Sequence, residues 1–226
     1  MGGRSQETST YTLNRAFQSF RQPGSSIKPL IVYAPALEEG YASFSSVKDI
    51  NVDAAKEPKA DVASLPGNWI TLRQAVEKSR NGAAWWLFNE VTPEEGLSYL
   101  TQMQFDKIVP DDYNMAASLG GFTYGVTAEE MAGAFSALEN GGVYREPDCI
   151  VRMENLAGED IYTGREPKEV YSQQTAAVMV DVMKGVISRG TARGMGWKSG
   201  IEAAGKTGTT NNSKDGWFCG MTPYYT

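Results

Sequence analysis

Apolar residues recur at helical spacing in four stretches of the chain, and each stretch is preceded by a helix-start signal. Thr71 with Gln74 three residues on reads as a capping box, followed by an apolar face of Leu72, Ala75 and Val76. Thr92-Pro93-Glu94-Glu95 puts proline at the first helical position and Glu95 where it completes a second box; Leu97 and Leu100 follow on one face. Thr127 with Glu130 opens a third helix, whose stripe of Met131, Phe135 and Leu138 ends at Gly141. The longest run covers residues 172 to 188. There Val178, Val182 and Val186 lie beside Met179, Met183 and Ile187, with Asp181 and Lys184 on the wet side. These stripes are core-packing faces and carry no chemistry of their own.

Strand patterning is weaker. Cys149-Ile150-Val151-Arg152-Met153, a turn at Ala157-Gly158 and the return of Ile161 and Tyr162 predict a hairpin. Residues 203–209 and 216–221 are expected to pair across the polar turn 211–215. Residues 3–12, polar and rich in Ser and Thr, read as a loop, and residues 51–67, rich in charge, Ala and Pro, as a long surface connection. Helices mixed with late antiparallel strands predict an α+β fold.

Composition narrows the chemistry. The 226 residues suffice for one large domain or two small lobes sharing a core. A net charge of -6 repels polyanions, so no nucleic-acid partner is expected. Histidine is absent, which excludes Ser-His-Asp and Cys-His catalysis and imidazole metal ligation. Any nucleophilic chemistry must therefore use a lysine, carboxylate or tyrosine base. Cys149 and Cys219 form no Cys-x-x-Cys and read as buried small apolar residues or a bridge. No apolar run approaches the roughly 20 residues of a membrane span, and the start lacks a signal-peptide pattern. An export signal or anchor is expected outside this chain.

Three short segments carry candidate chemistry. In Ser25-Ser26-Ile27-Lys28, a helix would put Ser25 and Lys28 on one face, with Ser25 at the positive end of the helix dipole. Lys28 becomes a base only if burial or a neighbouring cation lowers its pKa. Ser79-Arg80-Asn81 ends the helix that Thr71 opens and offers a hydroxyl and an amide. In Lys206-Thr207-Gly208-Thr209-Thr210, a strand is expected to point Lys206 and alternate threonines to one face, with Gly208 clearing room for a substrate backbone. Each segment alone is common. Gly200-Ile-Glu-Ala-Ala-Gly205-Lys206-Thr207 also matches a phosphate-binding loop. No apolar strand precedes it and its followers are poor helix formers, so that reading is set aside.

Taken in order, Ser-x-x-Lys, Ser-x-Asn and Lys-Thr-Gly resemble the triple signature of penicillin-binding proteins and class A β-lactamases. Asn14-Arg15-Ala16, Arg21-Gln-Pro-Gly-Ser-Ser-Ile-Lys-Pro29, Ile70-Thr-Leu-Arg-Gln-Ala75 and Asp215-Gly-Trp-Phe218 resemble the class A penicillin-binding proteins in particular. The resemblance implies a penicillin-binding/β-lactamase-like fold, with an antiparallel sheet flanked by helices plus a helical lobe. It implies that residues 1–226 form a partial transpeptidase domain with an incomplete sheet, lacking the glycosyltransferase domain and the membrane anchor. Catalytic roles would fall to Ser25, Lys28, Ser79, Asn81 and Lys206, and substrate binding to Thr207, Gly208 and Thr209. The backbone N–H groups of Ser25 and Thr209 would form an oxyanion hole, worth about 3 kcal/mol per donor. No cofactor or metal is implied.

The implied partners are D-Ala-D-Ala stem peptides of peptidoglycan and β-lactams, met at the extracytoplasmic face of a bacterial membrane. Contact with the membrane would come only through the missing anchor. Two alternatives stay open. One is a catalytically silent penicillin sensor or a non-functional fragment. The other is a serine β-lactamase, against which stands the lack of a Glu-x-x-Leu-Asn segment.

Overall fold

A computed structural model describes residues 12–57, 60–197, 200–210 and 214–226. Most of the expected loop at residues 3–12 lies outside the described residues, as does the centre of the turn 211–215. At the heart of the fold is a helical run of changing pitch. It starts as a 3-10 turn (Gly24–Ile27), loosens into a π-helical turn (Pro29–Tyr33) and ends as α1 (Ala34–Glu38). Pro29 and Pro35 supply no N–H, so the i→i−4 ladder is interrupted twice and the winding changes where donors are missing. Ser25 thus lies in a 3-10 turn at the head of the run, where the sequence predicts an ordinary helix start. Ile27, Leu30, Ile31, Val32, Tyr33 and Ala34 are all fully buried, the pattern of a helix enclosed on every side.

The rest of the chain wraps this run. Strand β1 (Ser46–Ile50) pairs antiparallel with β2 (Gly67–Thr71), from Ser46 opposite Thr71 to Ile50 opposite Gly67. The connection between them carries the short α2 (Val52–Ala55). Neither strand was expected, because Lys48, Asp49 and Asn68 interrupt the apolar alternation. Next come α3 (Leu72–Glu77), α4 (Asn81–Val91), α5 (Pro93–Gln102) and α6 (Ala128–Glu139). Capping boxes form at Thr71/Gln74 and Thr127/Glu130, as predicted. At α5 only half of the expected box forms among the described residues: the Thr92 hydroxyl accepts from Glu95 N.

Strands β3 (Val143–Tyr144) and β4 (Lys168–Glu169) form a minimal ladder before α7 (Gln173–Ser188), the long helix that Ser172 caps. On α7, Met179, Val182, Met183 and Val186 are buried, while Val178 and Ile187 pack partly covered at the edge. The expected hairpin over 149–162 shrinks to one bridge, Glu154 opposite Asp160, and an Ile161 N–H bond to Met153 O. Val151 and Leu156 stay fully exposed, so no second layer covers its apolar face, and two strands alone are marginal.

Finally β5 (Ala204–Thr209) pairs antiparallel with β6 (Gly216–Met221), Lys206 opposite Cys219. Helix α7 packs on β5, and α6 reaches β6. The described strands make three two-stranded antiparallel sheets, and the fold is α+β. Gly205, Lys206 and Thr207 lie on β5 and not before a helix, which removes the phosphate-loop reading. Both cysteines are free; Cys219 is buried, but Cys149 is exposed and so is not the buried residue expected.

Thr127→Ala deletes the half of the α6 box in which the hydroxyl accepts from Glu130 N, and the bond the hydroxyl donates to the Glu130 carboxylate, while the backbone half stays. The expected loss is about 1 kcal/mol, or roughly 2–4 °C in Tm, measured by thermal unfolding.

Candidate active site

Gln22 anchors the segment that leads into the helical run. Its side chain donates to Phe122 O at 2.6 Å and accepts from Phe122 N at 2.8 Å, while its own carbonyl accepts from Trp217 Nε1 at 2.9 Å. Two residues later the chain turns through Gly24 at φ 54°, and Ser25 emerges partly exposed. Ser26 turns inward, its hydroxyl donating to Pro23 O at 2.7 Å. That division of two adjacent serines leaves Ser25 on the wall of a cleft of about 620 Å³, with Asn81, Thr209, Phe122, Lys214 and Asp215.

Behind the cleft lie two fully buried lysines. Lys28 Nζ donates to Asn81 Oδ1 at 2.6 Å, to Ser79 O at 3.2 Å and to Arg80 O at 3.4 Å. None of these bonds goes to Ser25, whose hydroxyl makes none with the described residues. Lys206 Nζ donates to Ser79 Oγ at 2.8 Å and to Thr207 O at 2.8 Å. Ser79 itself has φ 53°, a costly left-handed conformation for a residue with a Cβ. The bend ends α3, turns the Ser79 hydroxyl to Lys206 and brings two carbonyls to Lys28. Asn81 then starts α4, with Nδ2 free of partners among the described residues.

Burial is the main force on both amines. It lowers Lys28 well below the ordinary lysine value; the Lys206 charge lowers it further, while Asp49 opposes. Burial alone brings Lys206 to about 7. The adjacent Cys219 thiol would raise Lys206 if ionised, but burial pushes that thiol up to about 12 and keeps it neutral. A cluster of two amines whose proton affinities are both lowered, that of Lys206 to about 7, suits proton transfer in both directions.

The strand segment departs from expectation in two ways. Alternation along β5 separates Lys206 from the threonines: Lys206 is buried against Ser79, Thr207 is partly exposed and shares a 2.6 Å hydroxyl contact with Thr191, and Thr209 is exposed. Lys206 and its threonines therefore do not share a face. Gly208 clears room for the protein itself. A Cβ there would lie 2.5 Å from Pro23 O and 2.9 Å from the Ser26 Cβ. The missing side chain presses β5 against the turn that carries Ser25.

Sequence patterning also missed two buried carboxylates beside the Ser79 turn. Asp49 accepts from Arg80 Nε at 2.6 Å and from Ala83 N at 3.2 Å. Glu77 pairs with Arg189, and its carbonyl accepts from Thr191 N. Neither belongs to a recognisable motif, and Asp49 sits on a strand that patterning did not predict.

Residues 2–226 match the profile of the penicillin binding protein transpeptidase domain family. The chain is 35% identical over 224 residues to penicillin-binding protein 4 of Bacillus subtilis (strain 168), spanning 96% of this chain and 35% of that protein. It superposes on penicillin-binding protein 1A from Haemophilus influenzae with a TM-score of 0.73 at 25% identity, covering 92% of this chain and 37% of the other. Penicillin-binding protein A from M. tuberculosis, solved as an imipenem acyl-enzyme complex, gives 0.75 at 22% identity, with 93% and 53% covered. That last likeness is one of fold. The chain spans about a third of the length of the curated relatives it matches.

Two outcomes follow from this geometry. Gly208→Ala is expected to cost about 1–3 kcal/mol in urea unfolding, since the backbone at Pro23 must yield. The lysines set a pH dependence. Lys206 binds protons at about 7 in the fold and at roughly 10.4 when unfolded, so the unfolded state holds more protons between those values. Stability therefore rises as pH climbs from about 7 and is lowest below it, and Lys28 acts in the same direction. The urea midpoint should be higher at about pH 9 than at about pH 7, with the difference reduced in Lys206→Met. Equal wild-type midpoints would contradict the assignment.

Proposed function

We propose, from the premise that this chain belongs to the penicillin-binding protein transpeptidase family, that it carries the acyl-transfer centre of a peptidoglycan DD-transpeptidase. The observation that supports this best is the pairing of a cleft-lining Ser25 with two lysines whose proton affinity burial lowers, bridged by Ser79. In this reading Lys28, as the free amine, takes the proton of Ser25 Oγ. The oxygen attacks the carbonyl between two terminal D-alanines, and the backbone N–H groups of Ser25 and Thr209 receive the developing oxyanion.

Breaking the C–N bond needs a proton on the departing D-alanine amine. Ser79 Oγ relays it, with Lys206 as neighbouring reservoir at 2.8 Å. Asn81 holds the acyl chain while Thr207, Gly208 and Thr209 border the terminal carboxylate. An amine from a second stem peptide then attacks the Ser25 ester and restores the hydroxyl. Every step in this reading is assigned to side chains and backbone groups of the chain itself. β-Lactams mimic the scissile dipeptide and acylate the same oxygen. The site of action is the extracytoplasmic face of the bacterial membrane, where the substrate lies. Residues 1–226 would act there as part of a transpeptidase domain.

Fluorescent penicillin tests the reading. Wild type is expected to take a stable covalent label that Ser25→Ala loses, and to transfer a D-alanyl peptide to an added amine. Folded wild type that takes no label would refute acyl transfer. A label hydrolysed within minutes would mark a β-lactamase, and stable label without transfer a sensor.

A further inference from the structure

We propose that Asp49 is a positioning residue of this centre, acting through Arg80 and the start of α4 to hold the oxygens on which the Lys28 amine rests. The inference rests on the acyl-transfer reading given above. Asp49 lies on β1, its side chain only 8% exposed, and both of its oxygens are engaged. Oδ2 takes the Arg80 guanidinium, with Nε at 2.6 Å and a second nitrogen at 2.5 Å. Oδ1 takes the backbone N–H of Ala83 at 3.2 Å, in the first turn of α4. One carboxylate therefore pins the chain on both sides of Asn81.

The pinned segment is the one that holds Lys28. Ser79 O, Arg80 O and Asn81 Oδ1 are its three acceptors. Residue 79 is held at a strained φ, so it would relax if the segment after it were released. A charged hydrogen-bonded pair with one buried partner is the kind of restraint that can sustain such a bend. Asp49 also faces the amine electrostatically. Besides burial, the charges that act on Lys28 are Lys206 on β5 and Asp49 on β1, the latter paired with the Arg80 guanidinium. Asp49 is the anion that counters Lys206 at this point.

Glu77 supplies an internal control. Its carboxylate is as deeply buried, sits two residues before Ser79 and pairs with Arg189, yet it touches none of the Lys28 acceptors. A merely structural role for Asp49 would make the two residues equivalent.

The test is a titration of the full chain labelled with ¹³C at lysine Cε, with Lys28 assigned through Lys28→Met. Asp49→Asn is expected to move the Lys28 midpoint to lower pH, since a carboxylate is lost and Arg80 is left uncompensated. The acid limb of penicillin acylation should move with it, and the plateau rate should fall about tenfold. Glu77→Gln is expected to lower stability and leave the Lys28 midpoint in place. An unmoved midpoint in folded Asp49→Asn, or an equal movement in Glu77→Gln, overturns the proposal. Should Asp49→Asn not fold, Arg80→Gln keeps the carboxylate and cuts the clamp; an unchanged acylation plateau in that variant also overturns it. Wild type that titrates as described but takes no penicillin would sink the acyl-transfer reading alone, because the Lys28 midpoint decides the role of Asp49 separately.

Discussion

Two lysine amines buried in one small core are the constraint around which this fold is arranged. Lys28 and Lys206 are both inaccessible, and burying a charge without partners is among the most costly things a protein can do. The chain answers with oxygens and with lowered proton affinity. Three acceptors surround Lys28 and two surround Lys206, all but one from the Ser79–Asn81 turn. That turn must be bent and held for the acceptors to converge, which is where Asp49, Arg80 and the first turn of α4 enter. The helical run, the turn and β5 are three remote segments, and this cluster ties them together.

The serine pair shows how finely the backbone sorts similar residues. Ser25 and Ser26 are neighbours of the same type, yet one lines the cleft and the other closes the 3-10 turn onto Pro23. Gly208 completes that arrangement by letting a strand lie against the turn. The interior is therefore close-packed up to the turn that carries Ser25, and a single methyl group at the contact has nowhere to go.

Much of this was legible in the sequence, and the legible part has a physical pattern. The capping boxes at Thr71 and Thr127 and the stripe on α7 are local signals, set by residues three or four apart, and the elements form where they point. The three motifs, read in order, also point to the side chains that the fold gathers around one cleft. What was hidden depends on distant partners. Strands β1 and β2 carry polar residues whose partners lie elsewhere in the chain, Asp49 with Arg80 and Lys48 with Ala63, so their alternation is broken there. The Cys149 hairpin looked like a strand pair but finds no covering layer. Gly208 looked like a clearing for substrate, because a sequence does not reveal that Pro23 fills the space. Lys206 and Thr207 were placed on one face although strand alternation parts them, an error of periodicity and not of missing information.

The bonds that shape the Ser25 turn also say something about how the protein is made. Trp217 reaches back to Gln22 across 195 residues, Tyr171 to Leu30 across 141, and Lys206 to Ser79 across 127. The helical run is apolar on every side and has its covering elements far downstream in the chain. Contacts of such sequence separation close slowly, because loop entropy is lost before any contact forms. Until those elements emerge, that run is an uncovered hydrophobic segment, of the sort that draws chaperones or sticks to its own kind. Ser25 precedes β5 and β6 by about 180 residues or more, so the turn that carries it waits for elements translated long after it.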